Sequence, residues 1–188
     1  VVVNTAPPHT AGEWVRAASG SEGQPSGSTG YFAVSNSDNA GSGSYTSSTL
    51  YSPVVDLSGV LSGTVDLDCD LYFHYYSSGG AETASIEVWD GSAWQTVASY
   101  STADVNAHQS VDVTAHALGN AEFRVRFAYL NASYDYWFAV DNVVVGGEQA
   151  AACNMETCDA NTPPLVNVNA PEDPYTTSLG VLVTFIGT

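Results

Sequence analysis

No lysine occurs in this chain, and its basic side chains are Arg16, Arg124 and Arg126 alone, against 20 acidic residues and a net charge of −17. That balance excludes nucleic acid as a partner, because affinity for phosphates rests on Lys and Arg. It equally disfavours docking on anionic lipid surfaces. Apolar runs long enough to cross a bilayer are missing, so no membrane insertion is expected. Methionine occurs once and cysteine three times. The helix-forming runs of Ala, Leu, Glu and Lys that build bundles are absent, while Gly, Ser and Thr are plentiful, which predicts a low helical content. The chain starts at Val1 without Met or a basic leader, and reads as a mature or excised product.

The three cysteines are Cys69, Cys153 and Cys158. Cys153 and Cys158 close a short loop, CNMETC, that suits a disulfide in an oxidising compartment; Cys69 paired with either is the rival arrangement. Asn131-Ala132-Ser133 is a glycosylation sequon at Asn131. Catalytic spacings are missing: no HExxH surrounds the four histidines and no GxSxG surrounds a serine, so the chain is read as non-catalytic.

What is present is a series of short β-type runs separated by turn residues. Candidate strands fall at 1–3, 13–16, 31–34, 48–57, 66–76, 84–89, 94–100, 110–114, 123–130 and 137–145. Asp90-Gly91 between two of them marks a tight hairpin. In the run 66–76, alternation puts Leu71, Phe73 and Tyr75 on one face and Tyr72, His74 and Tyr76 on the other. Such spacing predicts an all-β, two-sheet antiparallel sandwich. The composition divides the chain into a sandwich over 1–146, a linker over 147–162 and a β-strand tail over 163–188.

The stretch 121–146 holds the sharpest chemical question. Asp141-Asn142 interrupts an apolar strand, and an unpaired charge under a sheet costs several kcal/mol or more. With so few cations in the chain, a bound metal ion is the expected partner. Calcium accepts six to eight oxygens from carboxylates, Asn side chains and carbonyls. The candidate ligands are Asp141, Asp38, Asn36 and Glu13; the rival reading has Asp141 accept backbone N–H groups and Asp38 merely turn a loop. The carboxylates Asp66, Asp68 and Asp70 alternate on one face and read as a solvated strand start. Arg124 and Arg126 are expected to form a cross-strand ladder with Glu87 and Asp112.

A colinear set of residues carries a resemblance to a known family. Glu13-Trp14, Gly30-Tyr31-Phe32, Thr49-Leu50-Tyr51-Ser52-Pro53, Cys69 to Tyr76, Ile86-Glu87-Val88, Trp94 and Phe138 to Val143 fall in the order seen in the MAM domain. The same residues resemble the MAM-like jelly-roll modules of bacterial secreted peptidases and adhesins, over roughly residues 12–146. The resemblance implies a concanavalin-like jelly roll, extracellular and non-catalytic, with a structural calcium ion to which Asp141-Asn142 contributes. The tail resembles the opening strands of a bacterial Ig-like module.

Three functional expectations follow. The first is a secreted or cell-surface, calcium-stabilised adhesion module that binds a protein or glycan ligand, with the turn Tyr134-Asp135-Tyr136 as its contact surface. In the second, the apolar segment 179–187 adds as a strand to another copy, making a filament or surface layer. The third is a carbohydrate-binding module, in which aromatics such as Tyr72, His74, Tyr129 and Trp137 stack on sugars.

Overall fold

The computed structural model describes residues 2–3, 12–76, 80–148 and 178–182, with backbone alone at 2–3 and 178–182. Its strands are β1 (Val2–Val3), β2 (Val15–Ala18), β3 (Tyr31–Asn36), β4 (Thr46–Tyr51), β5 (Asp66–Phe73), β6 (Thr83–Trp89), β7 (Trp94–Tyr100), β8 (Val105–Asp112), β9 (Arg124–Ala132), β10 (Trp137–Glu148) and β11 (Ser178–Leu182). One short helix, α1 (Thr114–Ala117), follows β8, and a 3-10 turn, Ser37–Ala40, follows β3. Two sheets form, in the orders β1-β4-β9-β6-β7 and β2-β3-β10-β5-β8, with antiparallel pairing throughout. The predicted all-β sandwich is what the chain adopts.

Alternation explains why these runs pair face to face. Leu67, Cys69, Leu71 and Phe73 on β5, Ala84, Ile86 and Val88 on β6, and Val125, Phe127 and Tyr129 on β9 all point into one buried core. Phe138 on β10 sits at its centre, with ring contacts to Phe73 in its own sheet and to Phe127 and Tyr129 in the other. Cys69 is a free thiol buried within this core. Cys153 and Cys158 themselves lie outside the described residues.

A second, smaller cluster lies on the outer face of the sheet that contains β10. Phe32, Val34, Trp137 and Ala139 are buried there, with Tyr72 and Tyr136 packed beside them. The segment 19–30 between β2 and β3 covers it. Gly23, at φ 84°, passes so close that a Cβ would meet Trp137 and Val34 at 3.1 Å. Trp137 and Tyr72 are therefore packing residues, in edge contact at 5.5 Å, and not a sugar platform.

β10 is longer than β3, which pairs only with its first part, from Trp137 to Val140. β11 continues along the same strand, matching Val144 with Leu182 through Glu148 with Ser178. Residues 179–182 of the tail segment named above thus pair with β10 of the same chain, while 183–187 lie outside the described residues. At Gly147 the backbone of Thr64 crowds in, and a Cβ would lie 1.8 Å from the Thr64 carbonyl oxygen. The Thr64 N–H also donates to the Glu148 carbonyl at 2.9 Å. Replacing Gly147 by alanine is expected to cost about 1–3 kcal/mol through backbone displacement. The urea midpoint should fall at unchanged slope; an unshifted midpoint would show that this end of β10 is loose.

Candidate functional site: a buried acidic turn

Asp141, the residue that raised the question, is not under the sheet. The pairing of β10 with β5 shifts register between Asp141 and Val144, and Asn142 adopts φ 49°. This bulge inserts one extra residue, so Val140 and Val143 both reach the core while Asp141 and Asn142 are half-buried and exposed, respectively. Asp141 accepts a hydrogen bond from the Ser28 hydroxyl at 2.5 Å. Asn142 donates to Asp70 at 2.7 Å, and His108 Nδ1 lies 3.0 Å from the other oxygen of that carboxylate. Ser28, Asn142 and His108 are thus the side-chain partners of these two carboxylates.

The other candidate ligands gather at a different place. Asn36 ends β3 directly across from Trp137, four residues before Asp141 on β10, a separation of roughly 13 Å along an extended strand. Its side chain accepts from Asp38 N–H at 3.0 Å, and its amide donates to Glu22 at 3.3 Å. Asp38 accepts from Tyr136 N–H at 3.2 Å. Glu13 follows Gly12, which is packed against Asn36 and Ala40, so it belongs to the same end of the sandwich. The structure unites Glu13, Asn36 and Asp38 near the 133–136 turn and leaves Asp141 apart.

That turn is strained and tied down. Asn131, Tyr134 and Tyr136 occupy left-handed backbone at φ 59°, 64° and 62°, each disfavoured for a side-chain-bearing residue. Ser37 holds it from below: the Ser37 hydroxyl accepts from Asp135 N–H at 2.8 Å and donates to the Tyr136 carbonyl at 3.0 Å. The Tyr129 hydroxyl donates to the Asp135 carbonyl at 2.7 Å. Of the three turn residues, Tyr134 alone is exposed. Asp135 is 4% accessible, and Tyr136 lies flat on His74 with 4.0 Å between ring centres. The sequon residue Asn131 is exposed at the end of β9.

The residue that sequence reasoning missed is Glu82. Only 1% accessible, it accepts from Tyr76 N–H at 2.6 Å through one oxygen, while its other oxygen, Oε2, is buried without a hydrogen-bond partner among the described residues. A Cβ on Gly80 would lie 1.9 Å from that oxygen and 3.1 Å from Asp135 Oδ1, so the two carboxylates converge on the same point. Desolvation above all, with the Asp135 charge adding to it, holds the Glu82 carboxyl above its ordinary range. Burial likewise pushes the Tyr129 phenol up, reinforced by the charges of Glu82, Asp135 and Asp38. The charges of Glu82, Asp135 and Asp38 all bear on this buried hydroxyl, and none of the three has an Arg ion pair among the described residues. Alternation could have found Glu82, since Ala84, Ile86 and Val88 point inward and Glu82 shares their parity.

An oxygen-rich, cation-poor pocket of this kind suits a hard divalent ion. Among the described residues no three His, Cys, Asp or Glu side chains stand close enough to hold one unaided. The donors besides Glu82 and Asp135 would therefore be carbonyls, hydroxyls or water, as calcium accepts. Substrate access is closed, since both acids are buried.

Two sheets, a covered outer face and a tied terminal turn define an all-β sandwich, and solved domains with a similar fold are known. The K2 cleaved adhesin domain of Lys-gingipain is similar, with a TM-score of 0.51 and 14% identity over 76% of this chain and 87% of that one. The K1 cleaved adhesin domain of Lys-gingipain from Porphyromonas gingivalis W83 also scores 0.51, with 12% identity over 77% of this chain and 88% of that one. No family model matches the chain, and no curated protein does.

Proposed function

We propose that this chain is a non-catalytic, extracellular adhesion module of MAM-like jelly-roll type, with its contact turn locked by a calcium ion. The observation that carries the reading is the orphaned oxygen of Glu82 beside Asp135. A buried carboxylate without a partner is costly, and a divalent cation at that point would convert the cost into a clasp between the start of β6 and the turn before β10. Glu82 and Asp135 would hold the ion, with Asp38 at its margin. The ion would supply charge neutralisation and rigidity, leaving Tyr134 presented on a fixed backbone. The likeness to adhesin domains supports the adhesive role, and an acidic, lysine-free surface suits life outside the cell.

The filament reading requires the tail strand to be free for another copy. The pairing of β11 with β10 in the same chain favours the self-contained module.

Calorimetry with and without EDTA tests the clasp. Chelation should lower the melting temperature by roughly 5–10 °C, with recovery on adding calcium. The same protein, calcium-loaded, should be retained on an array of matrix proteins and glycans, and Tyr134→Ala should lose retention while keeping its melting temperature. A transition indifferent to EDTA together with unaltered retention of the Tyr134 variant would overturn the reading.

A further inference from the structure

The outer face of the sheet β1-β4-β9-β6-β7 carries a different kind of chemistry from the rest of the surface. Its outward rows run Tyr51–Arg126–Glu87–Thr96 and, one step along, Arg124–Trp89–Trp94. Two of the three arginines of the chain are here, beside two of its four tryptophans. Asp112, expected in the same ladder, is instead on β8 opposite Asp66 in the other sheet.

Arg126 is fully engaged. It forms an ion pair with Glu87, and its guanidinium lies 4.3 Å from the centre of the Trp94 ring. Tyr51 and Trp89 meet Trp94 edge-on, each at 5.6 Å. Trp94 thus has a guanidinium over its ring and two aromatic rings in T-shaped contact, and it is a half-buried residue on β7, the edge strand of this sheet. Arg124 is the anomaly. In a chain with 20 carboxylates it has no ion pair or hydrogen bond to any described residue, and its Nε is buried without a partner. Directly across the strand pair, Trp89 Nε1 is a second orphaned donor. The neighbouring Asp90 does not compensate: its carboxylate is spent on Ser92, Ala93 and Gln95 within its own turn.

We infer that this face binds a saccharide bearing a single carboxylate, its ring on Trp94 and its acid group on Arg124. An aromatic platform selects the apolar face of a sugar ring. An uncompensated guanidinium selects a carboxylate, by paired, charge-assisted hydrogen bonds. The overall charge of −17 sets the size of the ligand, because it repels a polyanion while leaving a short, singly charged sugar to the local field. Uronic and sialic acids share this chemistry.

The test is isothermal titration with 3′-sialyllactose, a glucuronosyl disaccharide and neutral lactose. One or both acidic sugars should bind at least about tenfold tighter than lactose, and the stronger of the two identifies the source. Arg124→Gln should erase that preference at an unchanged melting temperature, and Trp94→Ala, which also loses its packing on Arg126, Tyr51 and Trp89, should abolish binding at a temperature where circular dichroism shows the variant still folded. This site is independent of the calcium clasp, so EDTA and Tyr134→Ala should leave sugar binding intact even if they abolish retention on matrix. Equal binding of lactose, no binding of any sugar, or a preference that survives Arg124→Gln would overturn the inference.

Discussion

Glu82→Gln is expected to raise the melting temperature of the calcium-free protein and to erase the gain that calcium gives the parent. The exchange is nearly isosteric. The glutamine oxygen still accepts from Tyr76 N–H, while the amide nitrogen takes the place of the orphaned oxygen and donates toward Asp135. A buried, uncompensated charge becomes a satisfied neutral group, worth roughly 1–3 kcal/mol, or about 3–10 °C for a domain of this size. The pH dependence gives an independent reading. Because the folded-state pKa of Glu82 is raised above 4.5, the folded state holds this proton more tightly than the unfolded one. Its contribution is therefore fully favourable below about pH 4.5 and is lost as pH rises through the folded-state value. In EDTA the parent should lose stability over that rise, whereas the glutamine variant should not. Calcium should restore the parent at neutral pH and do nothing for the variant. A variant less stable than the parent in EDTA, with its calcium response intact, would show that Glu82 is held by something other than an ion.

The second large effect concerns the core. Phe138→Ala should destabilise the fold by about 3–5 kcal/mol, enough to unfold much of the protein at ordinary temperature. Phe138 is fully buried and touches aromatic rings from both sheets: Trp14 at 5.5 Å, Phe73 at 6.4 Å, Tyr100 at 6.5 Å, Phe127 at 6.3 Å and Tyr129 at 6.2 Å. Removing it leaves a cavity walled by large rigid side chains that cannot collapse inward. Phe138→Leu keeps most of the volume and should cost less than half as much. Denaturant melts followed by near-ultraviolet circular dichroism would report both. Equal losses for the two variants would mean that ring contacts, and not volume, set the cost.

The sandwich was legible because inward and outward residues alternate through β5 and β6 and through β9 as far as Leu130, and because Asp90-Gly91 marks its hairpin plainly. Strand ends were less so. β8 begins at Val105, five residues before its sequence signal, because its early residues are polar and lie on a sheet edge, where alternation is weak. The bulge at Asp141-Asn142 had no local signature at all. It arises from the match between β10 and β5, two strands far apart in sequence, and it turns what looked like a buried charge into a surface one. The acidic site was half legible. Asp38, Asn36 and the 134–136 turn were singled out and do lie together, whereas Glu82, though it shares the inward parity of Ala84, Ile86 and Val88, was passed over because it stands ahead of the apolar run that begins at Ala84.

Cys69 has a bearing on how the domain meets an oxidant. Its thiol is sealed in the core and its pKa is pushed up to about 12 by burial, so almost no thiolate exists at neutral pH. Thiol–disulfide exchange proceeds through the thiolate and needs access to the sulfur. Once the sandwich has closed, Cys69 is inert to oxidants and to other cysteines. Before closure, the same sulfur is an ordinary reactive thiol. In the folded domain the core itself thus shields this sulfur from oxidation.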